Sequence, residues 1–138
     1  MAGLSPKLPL SLDGQDTGYF LIKDFKDLVQ QNLKMLILTN PGERIMDPDF
    51  GVGLRTFLFE QNTPGTYSQI ESKIRSQVGI YLSYLKIINI RFDQQSGLGN
   101  PSGNLLNIKI RYFVEPLQVE GDISFEFNFD LDNIPTLV

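Results

Sequence analysis

The sequence predicts an α+β fold: about three helices packed on one face of a small, mainly antiparallel C-terminal sheet. Two observations carry most of this. In two segments before residue 85, apolar residues recur at three- and four-residue spacing, the period of a helix with one buried stripe. After Leu85 the period changes to strict alternation in three successive runs. Those runs are joined by local turns, so they read as an antiparallel meander with helices on its apolar side.

Residues 1–18 are rich in Pro, Gly, Ser and Asp and keep no period, so they read as an N-terminal arm or loop ahead of one domain spanning 19–138. Tyr19, Phe20, Leu21 and Ile22 form a short apolar run suited to an edge strand or a docking segment. Asp24 has the chemistry of an N-cap, and Asp27 places a carboxylate in the first turn, where the helix dipole favours it. Phe25, Leu28, Val29, Asn32, Leu33, Leu36 and Ile37 then define one helical face. Pro41 disfavours helical geometry for Asn40, and Gly42 permits a turn, so this helix should end near Thr39. A short apolar helix carrying Leu54, Phe57, Leu58 and Phe59 follows, then a loop over 61–65. Thr66 with Gln69 fits a capping box for a third helix, with Pro64 near its start and Tyr67, Ile70, Ile74, Val78, Tyr81 and Leu85 as its stripe.

In the sheet, Ile88, Ile90 and Phe92 alternate with Ile87, Asn89 and Arg91. A long turn-forming loop over 93–103 leads to Ile108, Ile110, Tyr112 and Val114, alternating with Lys109, Arg111, Phe113 and Glu115. A second turn, 116–121, leads to the clearest alternation in the chain. There Ile123, Phe125, Phe127, Phe129 and Leu131 face one way, and Ser124, Glu126, Asn128, Asp130 and Asp132 the other.

Composition narrows the function. With 138 residues, 41% hydrophobic and 20% charged, the chain is long enough for a core and ordinary for a globular protein. Its net charge of −4, with no basic run, argues against a nucleic-acid binder, which needs clustered Lys/Arg to neutralise phosphates. Cysteine and histidine are both absent, which removes thiolate chemistry, disulfides and the commonest general base and metal ligand. No cofactor is expected. The N-terminus lacks the layout of a signal peptide, and no window has the length of a membrane span, so the reading is a soluble protein made in a cytoplasm.

Charge, proline, glycine and apolar residues crowd together between residues 32 and 60. Glu43, Asp47, Asp49 and Glu60 are four carboxylates in that stretch. Glycoside hydrolysis needs two carboxylates aimed across a substrate cleft, and closeness in sequence is weak support for that arrangement. Tryptophan is absent, and the aromatic residues fall on core stripes. Structural roles suit the same residues. Pro41 and Gly42 end a helix, Glu43 accepts N–H bonds or pairs with an arginine, and Arg44 and Arg55 bind carbonyls or a carboxylate. Pro48 and Gly51 fix turns, and Phe50 enters a core.

The order of these residues resembles the baseplate wedge family of contractile-tailed phages, which also includes a baseplate subunit of type VI secretion systems. The resemblance rests on a helix ending in leucine and threonine, Pro-Gly-Glu-Arg at 41–44, Pro-x-Phe-Gly at 48–51, and a leucine-rich turn closing on Leu58-Phe59-Glu60. It covers about 25–131 and leaves the N-terminal arm outside. It implies a non-enzymatic, hetero-oligomeric component of a virion tail baseplate, assembled in the host cytoplasm. Such a component joins the inner baseplate to the first sheath ring and nucleates the sheath through its C-terminal sheet. Its partners would be other wedge subunits, met at Pro41, Gly42, Glu43, Arg44, Pro48, Phe50, Gly51 and Arg55. The tail sheath protein would be met along Ser124, Glu126, Asn128, Asp130 and Asp132. Family members have also been labelled lysozyme-like, so a peptidoglycan hydrolase is one alternative. A regulatory anti-adaptor on a similar fold is the other.

Overall fold

A computed structural model describes residues 3–13, 18–57, 60, 63–94 and 105–128. They contain three helices and three antiparallel sheets, an α+β architecture. The chain divides into two compact units, Met1–Phe59 and Glu60–Val138.

The first unit is built on helix α1 (Phe25–Leu38). Asp24 is its N-cap, with Oδ1 accepting the Lys26 N–H at 3.2 Å, and Thr39 is its C-cap. The buried stripe is Val29, Leu33, Leu36 and Ile37. Each such side chain contributes roughly 1.5–3 kcal/mol through its removal from water. Phe25 departs from the expected face and is 55% exposed at the first helical position, a turn ahead of the buried stripe.

Strands also form inside the stretch expected to be an arm or loop. Strands β1 (Ser5–Pro6) and β2 (Leu12–Asp13) pair antiparallel with β4 (Leu21–Ile22) and β3 (Gly18–Tyr19), respectively. Gln31, a polar residue of α1 outside its buried stripe, holds this segment. Its Oε1 accepts the Leu8 N–H at 3.0 Å, and its Nε2 donates to the Pro6 carbonyl at 3.1 Å. Backbone pairing and one side-chain amide order a stretch that has no hydrophobic period.

In the second unit, helix α3 (Pro64–Tyr81) follows the four-residue helix α2 (Leu54–Phe57) of the first. Its cap is Thr63, not Thr66: Thr63 Oγ1 accepts the Thr66 N–H at 3.4 Å. Pro64 explains the difference. With its φ locked near helical values and no N–H to leave unsatisfied, it takes the first helical position, which makes the preceding residue the cap. Ile70, Ile74 and Val78 are buried as the stripe predicts.

Strands β5 (Leu85–Gln94), β6 (Leu105–Val114) and β7 (Val119–Asn128) form an antiparallel meander with β6 central. Ile108, Ile110, Tyr112 and Val114 of β6 are buried with Ile123 and Phe125 of β7 and Ile90 of β5. Tyr67 of α3 stacks on Phe92 of β5 with ring centroids 4.9 Å apart. Two details differ from the alternation. The ladder between β5 and β6 shifts between Ile87 and Asn89, and this bulge leaves Ile88 47% exposed. The second turn is also shorter than 116–121: β7 begins at Val119, so Gly121 lies inside the strand opposite Tyr112. A Cβ there would sit 2.6 Å from the Tyr112 ring, so the glycine makes room for an aromatic side chain that is only 1% exposed.

Candidate functional site

The carboxyl end of α1 leaves carbonyls without helical partners, and the following segment is shaped by satisfying them. The chain turns away at Thr39 and returns, so that the Val52 N–H donates to the Leu36 carbonyl at 3.0 Å and the Gly53 N–H to the Thr39 carbonyl at 2.9 Å. Midway, the Gly42 N–H donates to the Pro48 carbonyl at 2.8 Å. These cross-links tie 39–53 into an elbow. Gly51 adopts φ +116°, and any Cβ at that position would fall on the Thr39 carbonyl. Gly53, at φ +67°, lies against the Pro41 ring.

Glu43 serves this geometry. Its Oε2 accepts the Asn40 N–H at 3.0 Å and its Oε1 accepts the Asn40 side-chain amide at 3.1 Å, while the Glu43 N–H returns a bond to the Asn40 carbonyl at 3.1 Å. The carboxylate acts as a lock on a turn. Arg44 makes no ion pair with a carboxylate among the described residues. Its guanidinium lies 3.7 Å from the centre of the Phe50 ring, a cation–π contact on a side chain that is only 8% exposed. Pro41, Gly42, Glu43, Arg44, Pro48, Phe50 and Gly51 therefore come together in one elbow. Arg55 stands apart on α2, exposed, without an ion pair among the described residues. Leu58 and Phe59 lie outside the described residues.

Ile45 and Met46 sit at the tip of the elbow and are 94% and 97% exposed. Nothing in the sequence separates them from core residues, because their exposure follows from the folded path between Arg44 and Asp47. A shallow depression elsewhere is lined by Ser68, Gln69, Ser72, Lys73 and Ser76 of α3.

The second candidate surface is the three-stranded sheet. On its polar face, Glu120, Asp122, Ser124 and Glu126 of β7 are exposed. The register sets Glu126 opposite Asn107, whose Nδ2 donates to Glu126 Oε1 at 3.3 Å, Ser124 opposite Lys109, and Asp122 opposite Arg111. Asn128 ends β7, while Asp130 and Asp132 lie outside the described residues. The two edges of the sheet differ. On β5 the ladder is interrupted at the bulge, and the Ile87 carbonyl there accepts a bond from Arg75 at 3.0 Å. On β7 the pairing with β6 is regular over all ten residues, and no strand occupies the other side among the described residues.

The family model described as "Baseplate wedge protein gp25" matches residues 23–116, more than half of the chain. No curated protein matches the sequence. Among solved structures, the fold is similar to a candidate tail lysozyme from Geobacter sulfurreducens, with TM-score 0.66 and 18% identity over 83% of this chain and 99% of that one. It is also similar to a chain of the baseplate of the anti-feeding prophage, with TM-score 0.67 and 24% identity over 78% and 82% of the two chains. At these identities the structures share the fold. The family match, which takes in α1, the whole elbow, α3, β5 and β6, places this chain in the baseplate wedge protein gp25 family.

Proposed function

We propose that this protein is a non-enzymatic wedge subunit of a contractile injection particle that joins the inner baseplate to the first sheath ring and nucleates sheath assembly through its C-terminal sheet. The observation that carries this reading is the contrast between the two sheet edges. A bulge and a side-chain bond interrupt the regular spacing of β5. β7 offers ten residues of regular strand whose outer side has no strand partner among the described residues. A strand with free N–H and C=O groups is a template for an incoming strand, which gains affinity from main-chain bonds and selectivity from alternate side chains. The elbow serves the other attachment, to a neighbouring wedge subunit, with Ile45 and Met46 as its most exposed apolar side chains.

The anti-feeding prophage baseplate supports the location, since a chain of the same fold occupies such an assembly. The particle would be completed in the host cytoplasm, in contact with wedge subunits and sheath protein. The hydrolase alternative draws no support from Glu43, whose two oxygens are both engaged by Asn40. Electron microscopy of particles assembled without this protein tests the proposal: baseplates should form without sheath. Sheath of normal length on such baseplates would overturn it. Degradation of purified cell walls by the isolated protein would reinstate the hydrolase.

A further inference from the structure

We infer that the outer edge of β7, which has no strand partner among the described residues, selects a heterologous strand with alternating basic and apolar residues, and that its acidic side chains prevent two copies of this chain from pairing edge to edge. The inference rests on the reading of β7 as a docking edge and specifies the partner's chemistry.

The polar face of β7 carries Glu120, Asp122 and Glu126, all exposed. Neither Glu120 nor Asp122 makes an ion pair among the described residues. The neighbouring strand shows what β7 accepts. On one face β6 presents Ile108, Ile110 and Tyr112, all at most 1% exposed, and on the other Lys109 and Arg111. Arg111 stands directly opposite Asp122 in the register, and Lys109 opposite Ser124. The fold thus pairs β7 with a strand that is basic on one side and apolar on the other. A strand added to the outer edge meets the same two faces of β7: Ile123 and Phe125 on one, the carboxylates on the other. Opposite charges on facing strands stabilise such a pair, and like charges directly opposite destabilise it.

A second copy of β7 meets those same carboxylates. Antiparallel pairing of two β7 edges centred on Ile123 would set Glu120 of each copy opposite Glu126 of the other. A long regular edge is an aggregation hazard, and this arrangement keeps it open to a basic strand while closing it to itself.

The test uses the full chain and short labelled peptides followed by fluorescence anisotropy. One peptide alternates Lys with Val and one alternates Glu with Val. A third has the Lys/Val composition with its lysines clustered, and a fourth is the alternating Lys/Val peptide with N-methylated backbone. The alternating Lys/Val peptide should bind about tenfold or more tightly than the other three. The double variant Glu120→Lys with Asp122→Lys should reverse the preference between the Lys and Glu peptides. Equal binding of the alternating Lys and Glu peptides overturns the charge selection and leaves edge docking standing. Equal binding of the clustered and alternating Lys peptides reduces the effect to unspecific attraction and also overturns it. Undiminished binding of the N-methylated peptide, or binding by none of the four, overturns the edge reading itself. Sedimentation supplies the second arm: the unaltered chain should show no association through β7, and self-association abolished by Ser124→Pro would contradict the inference.

Discussion

The elbow at 39–53 and the sheet of β5, β6 and β7 reach rigidity by opposite means. In the elbow, individual backbone groups are satisfied one at a time: Val52 and Gly53 donate to carbonyls at the end of α1, Gly42 donates to Pro48, and Glu43 closes on Asn40. Its order depends on a few residues that nothing else can replace. In the sheet the order is distributed, because each of ten consecutive residues on β6 and β7 repeats the same pairing and the same alternation of faces. The first kind of structure is brittle to a single added methyl group. The second tolerates surface substitutions and fails through loss of buried volume.

Three substitutions would break or sharpen this contrast. Gly51→Ala should be the most damaging. It combines an unfavourable φ for an L-residue with a methyl group driven into the Thr39 carbonyl, a cost of about 3 kcal/mol or more. Gly42→Ala, also at positive φ but with open space around it, should cost only about 1–2 kcal/mol. Denaturant unfolding of the pair separates steric from conformational cost. If the two cost the same, the close approach at Gly51 is not what holds the elbow. In the sheet, Ile110→Ala, at 0% exposure, should cost roughly 2–5 kcal/mol by the same measurement.

Smaller effects test the assignments. Thr63→Ala should cost about 1 kcal/mol as the loss of the α3 cap, and Gln69→Ala much less. The reverse order in thermal unfolding would restore the capping box at Thr66. The smallest effect on stability belongs to Ile45→Asp combined with Met46→Asp, since side chains this exposed should shift unfolding by no more than about 0.5 kcal/mol. The same double variant should fail to enter baseplates in a co-assembly assay if the elbow tip docks on a neighbouring wedge subunit. Normal incorporation would remove Ile45 and Met46 from that contact.

Much of this was legible in the chain. Three- and four-residue spacing located α1 and α3, and alternation located β6 and β7, because burial of one face imposes its period on any amphipathic element. Pro41 and Gly42 marked the end of α1 because their restrictions are local. Family membership was legible too, in the order of rare residue types from Pro41 to Gly51. Those signals share one property: each depends on residues close together in sequence.

What only the tertiary structure decided depends on residues brought together from afar. Gln31 is an ordinary polar helix residue until the Pro6 carbonyl and the Leu8 N–H arrive beside it. Gly121 looks like part of a turn until Tyr112 packs against it. Ile88 shares the alternation of its neighbours and leaves the buried face only because the ladder slips there. The difference between the β5 and β7 edges arises the same way, from a bulge and from an arginine reaching across from α3. Local pattern determined which elements form and which family they belong to. Long-range pairing decided how the two edges of the sheet differ among the described residues, because the state of a backbone group is defined by the partners the fold brings to it.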